Sequence, residues 1–343
     1  MAESMYILGI ETSCDETAAA VLKDGRELVS QVISSQIPTH QRYGGVVPEI
    51  ASREHVTHLS SVVEEAMRQA DIEFSQLAAI AVTYGPGLVG SLLVGVAGAK
   101  AMAYAARVPL IGVNHLEGHV YANFLHRPDL RFPFLALLVS GGHTHLLLFE
   151  GHLRYQVLGR TRDDAAGEAF DKISRALGLG YPGGPAIQAA AAYGASAAFS
   201  FPRAMLEPDS LDFSFSGMKS AVLNTLNTAA MKGEHLDRAD LAASFQQAVV
   251  DVLVRKSVMA LQRTPSRTLV LAGGVAANQA LRTALTQAVR EIDVELVCPP
   301  PVLCTDNAAM IAVAGYYHYL AGDFAPWELN AHPALPLRFA AEP

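Results

Sequence analysis

The sequence predicts an α/β protein that is divided into two lobes. Its 343 residues exceed the roughly 250 to 300 residues at which a single hydrophobic core tends to split. The composition is 51% hydrophobic but only 7% aromatic, which suits helices packed closely on sheets. Two segments that lie far apart in the chain also follow one plan of strand, polar turn and strand. Together these observations indicate a duplicated α/β lobe.

The first copy of this plan runs from Tyr6 to Val21, where YILGI and AAAV flank the polar turn ETSCDET. The second copy runs from Phe134 to Phe149, where FLALLV and HLLLF flank SGGHT. Short apolar runs bounded by turn residues are typical of buried strands. We therefore expect an N-terminal lobe at 1–130 and a C-terminal lobe at 131–343, with the extreme C-terminal segment packing back on the N-terminal lobe.

Apolar patterning and turn residues predict the other elements. An apolar run rich in β-branched residues that stops at glycine or proline indicates a strand, and apolar spacing of three and four residues indicates a helix. Strands are predicted at Ala78–Tyr84, Pro109–Val113, Arg267–Ala272 and Glu295–Cys298. Helices are predicted at Ser91–Ala106, His115–Leu125, Asp163–Leu179, Leu241–Leu261, Asn278–Val289 and Thr305–Tyr319.

The composition also excludes several classes of protein. No uninterrupted apolar run reaches the roughly 18 residues that cross a bilayer, and the first residues lack the pattern of a signal peptide. The three cysteines, Cys14, Cys298 and Cys304, are scattered, which fits a reducing compartment better than a disulfide framework. A net charge of −8 argues against a protein that coats nucleic acid by bulk electrostatics. We expect a cytoplasmic protein without a membrane segment.

Three glycine-rich turns, each after a predicted strand, suggest a site for phosphate groups. They are SGGHT at 140–144, Gly85-Pro86-Gly87 and Gly273-Gly274. Backbone N–H groups in such turns can point at anions, and glycine lets a ligand approach the main chain. One such turn is more often an ordinary tight turn. Three of them favour a nucleotide site.

A histidine pair at helical spacing suggests a metal site. His115 and His119 are four residues apart in HLEGH, so on a helix they share one face. The sequence differs from the zinc-protease HExxH because Glu117 comes two residues after the first histidine, where a helix turns it away from a shared metal. Taken alone, the pair is more simply interpreted as two solvent-exposed or capping histidines. Asp306, just before a predicted helix, would by itself be taken for an N-cap.

Eight motifs, in collinear order over nearly the whole chain, resemble the catalytic subunits of tRNA threonylcarbamoyladenosine synthases. The motifs are GIETSCDETAAAV (9–21), GGVVPEIASREH (44–55), NHLEGH (114–119), LVSGGHT (138–144), FDKISRALGLGYPGGP (170–185), SFSGMKSAV (214–222), GGVAAN (273–278) and CTDNAAMIA (304–312). The resemblance implies two ribonuclease-H-like lobes of the actin, Hsp70 and sugar-kinase superfamily around a nucleotide cleft. It implies transfer of an L-threonylcarbamoyl group from threonylcarbamoyl adenylate to N6 of adenosine 37 in tRNAs that read codons beginning with A.

The resemblance also implies roles for individual residues. His115, His119 and Asp306 are similar to the family's ligands for one divalent metal ion, iron or zinc. The residues expected to bind the adenylate are Leu138, Val139, Ser140, Gly141, Gly142, Asp171, Gly184, Gln188, Gly273, Gly274 and Asn278. Gln188 departs from the family pattern, because many members carry aspartate there, so that one contact is in doubt. Asp15 or Glu16 could orient the adenine amine or take its proton, or could merely order the turn.

The expected partners are tRNA and, in bacteria, an inactive paralogue of the same fold (TsaB-like) and a P-loop ATPase (TsaE-like). Two other readings of the sequence remain open at this stage. A small-molecule kinase or carbamoyltransferase of the same fold would need phosphate-binding loops but not the His115, His119 and Asp306 set. A non-enzymatic, nucleotide-gated interaction protein could discard both that set and the GGVAAN turn, and this chain keeps both.

Overall fold

The structure is a computed structural model that describes residues 4–205 and 210–337. The chain folds into two compact units. Unit 1 comprises Met1–Leu130 and Val302–Pro343, and unit 2 comprises Arg131–Pro301. Within the described residues, each unit contains one five-stranded sheet.

The sheet of unit 1 has the strand order β3-β2-β1-β4-β5. Its strands are β1 (Tyr6–Glu11), β2 (Glu16–Lys23), β3 (Glu27–Ser35), β4 (Leu77–Gly85) and β5 (Leu110–Asn114). Strands β1, β2 and β3 pair as an antiparallel meander, and β4 and β5 continue the sheet in parallel from β1. In the register of the central strand, Leu8 lies opposite Val21 on one side and Ile80 on the other.

Helices cover both faces of this sheet. They are α1 (Ile37–Gln41), α2 (Pro48–Ala70), α3 (Val89–Ala106), α4 (His115–Tyr121), α5 (Asn123–His126) and α11 (Ala308–Leu320). Leu8 and Ile10 of β1 share a buried cluster with Leu59 of α2 and Val96 of α3, whereas the intervening Gly9 faces α11. Because successive residues of a strand point to opposite faces, burial of both faces explains the unbroken apolar run of β1.

The closest approach between this sheet and α11 depends on a glycine. A Cβ added at Gly9 would lie 2.4 Å from the carbonyl oxygen of Ala308 and 2.7 Å from the backbone nitrogen of Ala312. We expect Gly9→Ala to lower the free energy of unfolding by about 1–3 kcal/mol, because helix backbone cannot yield as a side chain does. Urea denaturation measures this loss. Gly217→Ala is the matched control, since a Cβ there meets no atom within 4 Å. Equal unfolding free energies for Gly9→Ala and the parent would contradict the expectation.

The sheet of unit 2 repeats the plan of unit 1. Its order is β10-β9-β6-β7-β8. Its strands are β6 (Phe134–Val139), β7 (Thr144–Gly151), β8 (Arg154–Arg160), β9 (Thr268–Ala272) and β10 (Glu295–Val297). Strands β6, β7 and β8 form the antiparallel meander, and β9 and β10 extend it in parallel from β6. The repeat predicted from the two hairpins is therefore present in the fold.

The helices of unit 2 are α6 (Ala166–Leu177), α7 (Gly183–Ala191), α8 (Ser216–Lys232), α9 (Arg238–Gln262) and α10 (Gln279–Arg290). The rings of Phe170 on α6 and Phe245 on α9 meet edge to face at 5.4 Å in the core. Helix α6 begins later than predicted, because the Asp163 carboxylate accepts hydrogen bonds from the backbone and side chain of Ser216 and lies outside the helix. Gly178 ends it in the left-handed conformation, as expected.

The chain returns to unit 1 after it completes unit 2. The sequence analysis assigned 131–343 to one lobe and expected only the extreme C-terminal segment to pack back. In the structure, unit 2 begins at Arg131, and the chain from Val302 onward belongs to unit 1. Helix α11 packs on β1, β2 and β4. Unit 1 is thus built from both ends of the sequence.

One helix has the length and apolar composition of a membrane span. It is α3, Val89–Ala106, with a mean hydropathy of 1.4 over 18 residues. The sequence analysis expected no apolar segment long enough to cross a bilayer. This expectation was wrong for α3, because its glycines and Lys100 do not lower the mean hydropathy of the helix enough. In the structure α3 packs against α2 and β4, with Leu92 and Val96 buried. About a third of the helix is buried in this way, whereas Val89, Leu93 and Tyr104 are exposed.

Candidate metal and nucleotide sites

Helix α4 of unit 1 presents two histidines on one buried face. Strand β5 ends at Asn114, whose side-chain oxygen accepts a hydrogen bond from the backbone N–H of Leu116 at 2.9 Å and so caps the helix. His115 and His119 are 8% and 1% exposed, and their ring centroids are 4.6 Å apart. The one-turn spacing read from the sequence thus brings the two imidazoles together.

Asp306 lies beside these two rings. Its Oδ1 atom is 3.2 Å from His119 Nε2 and 3.6 Å from His115 Nε2. The helix that follows is capped by the next residue, because Asn307 Oδ1 accepts a hydrogen bond from the N–H of Met310 at 3.0 Å. Capping therefore does not account for Asp306, and one ligand atom from each of the three side chains lies within 4.8 Å of the others.

The chemistry of this cluster fits a divalent metal ion. Both ring nitrogens of His119 are buried and make no hydrogen bond to any described residue. A buried polar atom without a partner is costly, and a metal ion would satisfy Nε2. Two imidazoles and one carboxylate form a ligand set used for zinc and for non-haem iron, so the donors alone do not choose between them.

A buried carboxylate, Glu11, orients His115. Its Oε2 atom is 3.2 Å from His115 Nδ1, and its Oε1 atom accepts a hydrogen bond from the N–H of Ser13 at 2.6 Å. Burial opposes a charge on the His115 ring, but the charges of Asp306 and Glu11 raise its pKa to about 9. When the ring carries a single proton on Nδ1, that N–H donates to Glu11 and Nε2 is free on the side of Asp306 to bind a metal ion. The sequence analysis missed this role, although a glutamate that ends an apolar strand was a usable signal.

Asp15 ends the turn between β1 and β2, and Glu16 begins β2; both lie close to Asp306. Carboxylate oxygens of these three residues lie within 4.8 Å of one another. Burial, with the nearby charges of Asp15 and Asp306, raises the pKa of Glu16 to about 10, while Ser35 Oγ donates to Glu16 Oε1 at 3.0 Å. Such crowding of carboxylates would be relieved by a bound cation.

In unit 2, the turn between β6 and β7 exposes two of the predicted nucleotide-binding glycines. Leu138 and Val139 are fully buried in β6, and Ser140 is 8% exposed, with its N–H donating to the carbonyl of His143 at 2.8 Å. A Cβ at Gly141 or Gly142 would meet no atom within 4 Å. The strand residues support the turn, and the glycine backbone is open to a ligand.

Gly273 and Gly274 follow β9 and differ in their surroundings. Gly273 has a φ of +86°, and a Cβ there would lie 2.5 Å from the carbonyl oxygen of Val139. At Gly274 an added Cβ would meet no atom within 4 Å. Gly273 is thus required by the turn itself, whereas Gly274 offers open backbone to a ligand.

Asp171 holds the loop that precedes α7. Its Oδ1 atom accepts a hydrogen bond from the N–H of Gly183 at 2.7 Å. Gly183 is the first residue of α7, and the next residue, Gly184, has open space around it, since a Cβ there would meet no atom within 4 Å. The carboxylate therefore fixes the helix N-terminus, where backbone N–H groups can meet an anion.

Gln188 and Asn278 make protein contacts at the N-terminus of α10. Gln188 Oε1 accepts a hydrogen bond from the N–H of Gln279 at 2.7 Å. Asn278 Oδ1 accepts from the N–H of Leu281 at 3.0 Å and caps the helix, while its Nδ2 donates to Gln246 Oε1 at 2.9 Å. Both side chains already order this part of unit 2, which was not foreseen from the sequence.

Comparison with known proteins identifies similar chains over almost the full length. A family model described as TsaD, tRNA N6-adenosine threonylcarbamoyltransferase, matches residues 27–313. A protein of that name from Desulfitobacterium hafniense is 71% identical over 335 residues, which cover 98% of this chain and 98% of the relative. Another, from Geobacillus kaustophilus, is 59% identical over 338 residues, with 98% of each chain covered.

Solved structures share the fold at low sequence identity. HypF from T. kodakarensis superposes with a TM-score of 0.64 at 14% identity, over 93% of this chain and 48% of HypF. Component A of (R)-2-hydroxyglutaryl-CoA dehydratase from Acidaminococcus fermentans gives a TM-score of 0.54 at 18% identity, over 92% of this chain and 99% of the other. The α/β fold of this chain, with its two sheets, is therefore shared with these solved structures, as the sequence analysis expected.

Proposed function

Since this chain belongs to the tRNA N6-adenosine threonylcarbamoyltransferase family, we propose that it transfers the L-threonylcarbamoyl group from threonylcarbamoyl adenylate to N6 of adenosine 37 in tRNAs that read codons beginning with A. It is an acyltransferase of threonylcarbamoyladenosine synthesis. The alternatives of a small-molecule kinase and of a non-enzymatic interaction protein are thereby set aside.

The observation that carries the proposal is the cluster of His115, His119 and Asp306. Its three ligand atoms lie within 4.8 Å of one another, and His119 has buried ring nitrogens without hydrogen bonds to described residues. These residues would hold one divalent ion, iron or zinc, and Glu11 would keep the His115 ring in the orientation that directs Nε2 to it. When bound, such an ion supplies a Lewis acid for a carbonyl or phosphoryl oxygen.

The glycine turns of unit 2 would bind the adenylate. Open backbone at Gly141, Gly142, Gly184 and Gly274 can approach the phosphate and the nucleoside without a side chain in the way. Asp171 would act by fixing the N-terminus of α7, since it accepts a hydrogen bond from the N–H of Gly183, the first residue of that helix. Preorganised N–H groups of this kind stabilise the charge that develops on a departing phosphate.

Asp15 and Glu16 would act on the attacking amine. An adenine amine is a weak nucleophile, so its position and the fate of its proton matter. The two carboxyls lie beside Asp306, within 4.8 Å, and so next to the proposed ion. We propose that one of these two carboxyls orients the amine or takes its proton, and the raised pKa of Glu16 favours the orienting role for that residue.

Partners are expected to supply what the isolated chain lacks. A chain with a net charge of −8 must bring a polyanionic tRNA to a local basic surface, and other subunits can enlarge that surface. We propose the inactive paralogue of the same fold (TsaB-like) and a P-loop ATPase (TsaE-like) as these subunits, with the cytoplasm as their compartment.

The test of this function separates synthesis of the adenylate from its use. We expect the isolated chain to modify tRNA when given preformed threonylcarbamoyl adenylate, and to give no modified adenosine from threonine, bicarbonate and ATP. The reason is that one metal cluster and one set of nucleotide loops account for the sequence motifs, so none of these motifs remains for a separate site that makes the acyl group. Nucleoside analysis of the digested tRNA by mass spectrometry measures the product.

Transfer RNA with adenosine 37 replaced by guanosine is the control, and it should remain unmodified. Modified adenosine made from threonine, bicarbonate and ATP by the isolated chain would refute the division of labour. No product from the preformed adenylate, with or without partner subunits, would refute the proposed reaction.

A further inference from the structure

Glu117 is a buried carboxylate that the proposed chemistry does not use. It lies between His115 and His119 on α4 and is 4% exposed. The helix turns it away from the two histidines, as its position two residues after His115 predicts. A charged group so deeply buried requires a compensating partner.

That partner is His318, near the end of α11. Its Nε2 atom lies 3.4 Å from Glu117 Oε2, and its Nδ1 atom lies 2.9 Å from Asp323 Oδ2. Because each ring nitrogen faces a carboxylate oxygen, the protonated ring can donate to both. Burial lowers the pKa of His318, but Asp323 and Glu117 outweigh it and raise the value to about 9. The three side chains form one charged group, here called the Glu117–His318–Asp323 triad.

The triad connects the two elements that supply the proposed metal ligands. Helix α4 carries His115 and His119, and Asp306 stands just before α11. The two helices pack directly, and a Cβ added at Gly118 would lie 2.8 Å from Ile311 Cδ1. At such close packing, a small rotation of α4 about its axis would move both imidazoles relative to Asp306.

We propose that Glu117 is a positioning residue, whose pairing with His318 and Asp323 fixes the rotation of α4 against α11 so that both histidines face Asp306. The proposal rests on the metal site of the proposed function. In the rotation that places Glu117 against His318, the Oε2 atom faces a charged partner at 3.4 Å, although Oε1 has no hydrogen-bond partner among the described residues. Rotation away would leave the buried Glu117 charge unpaired, while His318 would keep only Asp323. The ion pair thus selects one arrangement of the ligand helices.

The experiment measures metal affinity in the folded protein. Purified protein stripped of metal is titrated with Co²⁺ alone, and visible absorption reports both affinity and ligand geometry. We expect Glu117→Gln and His318→Gln each to weaken Co²⁺ binding by about tenfold and to alter the absorption bands, because partners outside the ligand set contribute on this order. A role limited to stability would lower the unfolding temperature and leave affinity and spectrum unchanged.

The double variant Glu117→Gln/His318→Gln tests whether the two residues act as a pair. Because both single variants remove the same interaction, we expect the double variant to lose about as much affinity as either single variant, about tenfold, and not the product of the two losses. A double variant whose loss equals the product of the two single losses would overturn the proposal.

If a single variant does not fold, Asp323→Asn replaces it, because the Asp323 side chain is 48% exposed and the change is tolerable. Its expected loss is about two- to threefold, and an unchanged affinity would overturn the proposal.

Two controls separate this inference from the metal site itself. Asp251→Asn removes the partner of Arg203, which lies 2.8 Å away in unit 2, and should leave Co²⁺ binding unchanged. His119→Ala should lose the absorption bands. If the parent and His119→Ala bind Co²⁺ alike, the metal site is wrong and the positioning role falls with it. If they differ and Glu117→Gln matches the parent, the positioning role alone is wrong.

Discussion

His119→Ala is expected to release the bound metal and to lower the rate of tRNA modification by at least about 10²- to 10³-fold. His119 is 1% exposed, and its Nε2 atom lies 3.2 Å from Asp306 Oδ1. Because the ring is buried, solvent water does not readily take the place of the lost nitrogen ligand. Elemental analysis of the purified protein measures the metal, and nucleoside analysis measures the rate with preformed threonylcarbamoyl adenylate.

The matched control for this variant is His58→Ala. His58 also lies in unit 1, but it pairs with Glu54 at 3.1 Å on the partly exposed face of α2. This variant should keep both metal and activity. A His119→Ala protein that retains one full equivalent of metal would show that the cluster is not the metal site.

Gly274→Val is expected to weaken binding of AMP by on the order of a hundredfold while the fold stays intact. A Cβ at this position would meet no protein atom within 4 Å, so the added side chain can only obstruct a ligand. Isothermal calorimetry measures the affinity, and circular dichroism checks the fold. Gly274→Ala should show a smaller loss in the same direction.

The adjacent glycine provides the contrasting variant. Gly273→Ala should destabilise unit 2, because its φ is +86° and its Cβ would lie 2.5 Å from the backbone of Val139. Substitution of Gly274 is thus predicted to exclude the ligand, whereas substitution of the neighbouring Gly273 is predicted to destabilise the fold. Native circular dichroism with unchanged AMP affinity in Gly274→Val would contradict the nucleotide assignment.

The repeated architecture could be predicted from the sequence because its signal is local. YILGI and FLALLV are continuous apolar runs, which mark strands buried on both faces, and each is followed by a polar turn and a second strand. The long helix α2 was missed, although Leu59, Val62, Val63 and Ala66 follow helical spacing after Pro48 at the helix start. That signal was present and not used.

The candidate site depended on contacts that local patterns do not encode. Their spacing could place His115 and His119 on one face of a helix. Asp306 is remote in sequence, so no local pattern could predict that it lies beside them. That prediction came from the family resemblance. Asn307 rather than Asp306 caps α11, a distinction that two adjacent capping residues leave open. The orienting role of Glu11 likewise depends on the distance from β1 to α4, which only the folded chain defines.

The return of the chain to unit 1 has a consequence for protein synthesis. On the ribosome, the first 130 residues emerge long before Val302, so the sheet of unit 1 waits without α11 while unit 2 is made. The nascent N-terminal portion exposes the Gly9 face of β1 during that interval, and Asp306 is not yet available to His115 and His119. A chain that stops before residue 306 therefore carries two of the three ligands, and the third is added only after the whole of unit 2 has been synthesised.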